Sequence, residues 1–72
     1  MNIREAVLKA RKTGDAICRP FGETGAMLVA KPQDNTHLQA GIFRKGMEIE
    51  FHKNWMIQIS DLTADDWELF TQ

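Results

Sequence analysis

The sequence is short of the usual covalent staples. Its 72 residues contain one cysteine, Cys18, which excludes an intrachain disulfide. Two histidines, His37 and His52, stand far apart with no Cys/His ligand spacing between them, so no structural zinc site is legible. No apolar run approaches the ~18 residues that span a bilayer. The opening Met1-Asn2-Ile3-Arg4-Glu5 has no signal-peptide pattern. The expectation is a cytoplasmic protein without membrane contact, in which a lone thiol stays reduced. The formal net charge is −1, without the basic field that DNA or RNA binding requires. Gly-x-Ser-x-Gly, phosphate-loop and metal motifs are all missing, and no cofactor is expected.

A chain of this length makes one domain, 1–72, and buries only about 60% of its unfolded surface. Small cores need a disulfide, a metal or a second copy of the chain. With the first two excluded, a homo-oligomer is the default expectation. Charge is unevenly placed. Residues 1–60 carry nine Lys/Arg against six Asp/Glu, giving +3, whereas residues 61–72 carry Asp61, Asp65, Asp66 and Glu68 and no base, giving −4. The body can thus hold one or two phosphates while the molecule stays nearly neutral.

Along the chain the first element reads as a helix. Asn2 is a good N-cap with Glu5 three residues on, as in a capping box. Ile3, Ala6, Val7 and Ala10 make one apolar stripe, Lys9, Arg11 and Lys12 suit the C-terminal end of the dipole, and Gly14 suits the C′ position. Short strands follow: Ala16–Arg19 ended by Pro20, then Ala26–Lys31 after the turn residues Phe21-Gly22-Glu23-Thr24-Gly25. Pro32-Gln33-Asp34-Asn35 stops the second. Leu38, Ala40 and Ile42 alternate weakly, Arg44-Lys45-Gly46 reads as a turn, and Met47, Ile49 and Phe51 alternate with Glu48 and Glu50 as a half-buried strand. After a turn at His52-Lys53-Asn54, Trp55, Ile57 and Ile59 alternate again. Thr63 and Asp66 suit the caps of one helical turn, and Glu68–Phe70 a last strand. This is an α+β pattern, an N-terminal helix on a small antiparallel meander.

Few residues offer chemistry. Cys18 with His37 or His52 is a conceivable nucleophile pair, but a single Cys flanked by apolar residues is far more often core. Asp65 and Asp66 read as a dyad or, more simply, as capping and solvated acids. Phe21, beside Arg19-Pro20 and a Gly-containing turn, has two readings. It stacks a base while Arg19 holds a phosphate, or it closes one end of the core. Trp55 and Trp67 suit positions part core and part interface, and Trp67 reads as the anchor of the last turn.

The run Trp55-Met56-Ile57-Gln58-Ile59-Ser60-Asp61-Leu62-Thr63-Ala64-Asp65-Asp66-Trp67 resembles the C-terminal signature of the phage Thoeris anti-defence 2-like family: a Trp, a Ser/Thr-rich stretch, then Asp-apolar-x-Ala-acid-Asp-Trp, with twelve positions from Trp to Trp. The opening helix, Gly14 and a strand ending in Arg19 are similar to the family's start. Phe21 stands where the family often has Trp, keeping a stacking face without the indole N–H. The two ends together cover about half of the chain. The resemblance implies a small phage protein of the host cytoplasm, a homo-oligomer and typically a tetramer. It implies that such a protein binds a cyclic nucleotide immune signal (glycocyclic ADP-ribose or a cyclic dinucleotide) between subunits and sequesters it uncleaved. Arg19, Phe21, Asn54, Trp55, Ser60 and Asp61 are the expected ligand contacts. The rival expectation is a small phage or prophage protein that inhibits a host protein by direct binding, through an adaptable surface of Met27, Met47 and Met56.

Overall fold

A computed structural model describes residues 1–22, 25–33, 37–52 and 54–71. The helix α1 spans Ile3–Thr13. Its capping box is formed: the Glu5 amide donates to Asn2 Oδ1 at 2.8 Å, and the Asn2 amide donates to Glu5 Oε1 at 3.4 Å. Gly14 ends the helix at φ 76°, a left-handed conformation that glycine adopts without a Cβ penalty, and its amide donates to the Ala10 carbonyl at 2.8 Å. Ala6 and Ala10, both fully buried, are small enough to let the helix axis lie close to the sheet.

Four strands form one antiparallel sheet, β1 Ala16–Phe21, β2 Ala26–Pro32, β3 Leu38–Phe43 and β4 Glu68–Phe70, in the order β3-β2-β1-β4. The expected meander holds for β1 to β3, but the last strand returns to the free side of β1. Strand β1 also runs on through Pro20, where the sequence suggested a stop. Strand β4 pairs with β1 only over Ala16–Cys18, so β1 has one open edge at Pro20, and an edge tolerates a residue without an N–H. The Glu23 and Thr24 part of the first expected turn lies outside the described residues, as do Asp34 and Asn35 of the second and Lys53 of the fourth.

The register sorts side chains onto two faces. Ile17, Leu28, Ala30 and Ala40 meet Ala6, Ala10 and Trp67 under α1. Ala16, Cys18 and Val29 form a second, smaller cluster on the opposite face. There the expected strand over Met47–Phe51 is not a strand. The segment lies across the sheet, with Ile49 and Phe51 half-buried against the second cluster and Met47 65% exposed. Alternation makes an extended chain with one apolar side; it does not decide whether that chain pairs at an edge or lies on a face. Gly41 permits the close approach, since a Cβ at that position would collide with the Glu50 carbonyl and stand 3.0 Å from Ile49.

His52 then exchanges backbone hydrogen bonds with Ala40 on the edge of β3, at 2.8 and 3.3 Å, and the chain crosses to the helix side, where Trp55 packs on the main core. The expected Trp55–Ile59 alternation ends in α2, Ile59–Leu62. Thr63 closes α2 at its C-terminus, its hydroxyl donating to the Ile59 carbonyl at 2.9 Å, and Asp66 caps nothing there. Among the described residues no helix is long and apolar enough to cross a membrane.

Candidate functional site

Of the expected contact residues, Asp61 meets Arg19. Strand β1 points this side chain to the helix side, in register with Leu28. The returning C-terminal segment brings acids to it from 42 and 47 residues away. Arg19 Nη1 donates to Asp61 Oδ1 at 2.5 Å, and Nε donates to Asp66 Oδ1 at 2.9 Å. Nη2 reaches Asp66 Oδ2 at 3.5 Å. The guanidinium fork that was expected to hold a phosphate is therefore closed on two carboxylates. A phosphate at this place has to displace Asp66, the more exposed partner, whose side chain is 50% accessible against 7% for Asp61.

The charges support each other. The hydrogen bond to Asp66, and then that to Asp61, raise the Arg19 guanidinium further above its ordinary range. The hydrogen bond from Arg19 holds the Asp66 carboxyl below the usual carboxylate range. Asp61 is buried through its side chain and also serves through its backbone: its carbonyl accepts the Trp67 indole N–H at 2.9 Å. Trp67 is fully buried, and its amide donates to the Met1 carbonyl at 3.0 Å. Asp61, Asp66 and Trp67 thus form one clasp that ties the C-terminal segment to β1 and to the start of α1.

The other expected residues lie outside this clasp among the described contacts. Phe21 lies on the same face as Arg19, half-buried against the core. Trp55 is half-buried against the same core, its ring 6.2 Å from that of His52. Asn54 and Ser60 are exposed. Cys18 is buried, and burial followed by the charge of Glu68 pushes its thiol up, which leaves little of the thiolate that nucleophilic chemistry uses.

Space is distributed differently from the charges. The hollow beside Arg19, bordered by Pro20, Met27 and Glu68, measures about 170 Å³, below the roughly 300–1,000 Å³ of small-molecule sites. A larger groove of about 430 Å³ lies on the face of the sheet away from α1, among Asp15, Lys31, Glu48, Ile49, Phe51 and Phe70. The sequence reading missed this groove because its walls come from segments distant in sequence; the one available signal was Asp15, an acid set just beyond a helix C-terminus, where the dipole disfavours it. No family model, curated protein or solved structure matches the chain.

Proposed function

We propose that this chain is a non-catalytic binding protein that sequesters a cyclic nucleotide signal as a homo-oligomer, in the manner of the phage anti-defence proteins its C-terminal signature resembles. The observation that carries this reading is an open apolar shelf. The segment whose inner side holds Asp61 and Trp67 turns Met56, Ile59 and Leu62 outward, at 88%, 78% and 49% exposure. Burying such side chains contributes about 1.5–3 kcal/mol each, so a second copy seated here gains what the small core lacks. The clasp holds the shelf in place, which gives Arg19, Asp61 and Asp66 a role in assembly. A site walled by two copies also suits a 72-residue chain with little room for a deep cavity.

Met47 and Met56, both exposed, favour a second reading, direct inhibition of a host protein through an adaptable thioether surface. Two measurements separate them. Light scattering after size exclusion is expected to give an oligomer for the parent and a monomer for Ile59→Asp; a monomeric parent at micromolar concentration removes the shelf argument. Thermal melting with cyclic dinucleotides and cyclic ADP-ribose isomers is expected to show stabilisation of about 2.7 kcal/mol at a hundredfold excess over Kd. A protein inhibitor shows no such shift, and an enzyme returns the nucleotide altered after heat release.

A further inference from the structure

We infer that the groove on the face opposite α1 is the subsite for one nucleoside monophosphate unit of the sequestered signal. The inference rests on the sequestration reading and moves its ligand contact away from Arg19. At about 430 Å³ the groove lies at the lower end of the range for small-molecule sites. That suits one nucleotide unit and leaves the other half of a cyclic dinucleotide outside, where another copy of the chain can enclose it.

The walls match the parts of a nucleotide. Phe51 and Phe70 supply aromatic surface for a base. Phe70 packs edge-on against Phe43, ring centroids 5.3 Å apart at 63°. Phe51 stands on the 48–51 segment that Gly41 allows to lie flat on the sheet. Asp15 and Glu48 are acceptors from two separate segments, and ribose hydroxyls and exocyclic amines are donors. Thr13 Oγ1 donates to Asp15 Oδ2 at 2.6 Å, which orients that carboxylate. Lys31 is the cation lining the groove, and it makes no ion pair among the described residues. Among the described lining residues the charge is one cation against two carboxylates, so a phosphate is held at Lys31 alone and a chain of phosphates is disfavoured. Asp15 also breaks a local rule of helix stability, and such breaks concentrate where function requires them.

The test is a titration of the isotope-labelled protein, followed by amide NMR, with adenosine, guanosine, their 5′-monophosphates and 3′,3′-cyclic di-AMP. Shifts are expected to centre on Ala16, Lys31, Ile49, Phe51 and Phe70. Lys31→Glu, on an exposed side chain, is expected to weaken the monophosphates about tenfold or more, as loss of a charged hydrogen bond implies, and to change the nucleosides by less than about twofold. Asp15→Asn is expected to weaken both while raising the melting temperature slightly, because it relieves the helix end. Shifts centred on Arg19, Phe21, Asn54 and Ser60 overturn the groove and leave sequestration standing. Binding of none of these probes overturns the groove, and the melting screen with cyclic ADP-ribose isomers then decides whether sequestration stands.

Discussion

The two faces of the sheet are built for different ends. Under α1 the side chains of Ala6, Ala10, Ile17, Leu28, Ala30, Ala40 and Trp67 form a continuous buried layer, sealed by the helix and by the returning C-terminal segment. On the other face the buried cluster among the described residues is Ala16, Cys18 and Val29, beneath Ile49 and Phe51. The first face spends nearly all its apolar surface on packing. The second is roofed by a single non-helical segment and keeps a groove beside it. Dense packing and open space thereby fall on opposite sides of one thin layer.

Substitutions test that division, beginning with the largest effect. Trp67→Ala is expected to cost about 3–5 kcal/mol, the usual loss for a buried aromatic, which consumes most of what a domain this small has to spare. Phe51→Ala, on a half-buried ring of the other face, is expected to cost about half of that and leave a folded protein that has lost its nucleoside contact. Urea denaturation of both measures the contrast, and equal costs would break it. Next comes Arg19→Met, which strands the buried Asp61. In a deep core that costs about 3–5 kcal/mol; here water reaches Asp66 and screens the node, so about 1–3 kcal/mol is expected, with loss of the oligomer. An oligomer that survives unchanged would separate the clasp from assembly.

The smallest effect is one of pH. The folded-state pKa of Asp66 lies below its unfolded value, so the unfolded chain binds more protons in that window. Its contribution is therefore complete above the unfolded value of about 3.9 and is lost as the pH falls through the folded one. Asp66→Asn is expected to melt lower than the parent near neutrality and to converge with it as the pH falls through the lowered folded-state pKa of Asp66. A gap that persists in acid assigns Asp66 a role other than pairing with Arg19.

Local signals in this sequence were legible where one segment decides its own structure. Asn2, Glu5 and Gly14 mark both ends of α1, and Glu68–Phe70 was readable as a strand. What escaped reading depends on partners remote in the chain. The alternation of Met47, Ile49 and Phe51 is common to an edge strand and to a chain lying on a sheet, and Gly41, which selects between them, stands six to ten positions earlier. Arg19 was legible as a functional-looking cation and the acidic C-terminus as a separate charge block; their pairing spans 42 and 47 residues. The groove was illegible for the same reason, since Asp15, Lys31, Glu48 and Phe70 meet only after β4 returns to β1.

Met1 and Trp67 are joined by the Trp67 amide and by the terminal amine, which donates to the carbonyls of Asp65 and Trp67 at 2.9 and 3.2 Å. In terms of hydrogen exchange, the first turn of α1 and the strip before β4 form one opening unit, although they lie at opposite ends of the sequence. Fraying at either place uncovers the same indole. Terminal segments ordinarily exchange fastest; here the Trp67 amide is expected to exchange with the slow set of the core, together with those of β1.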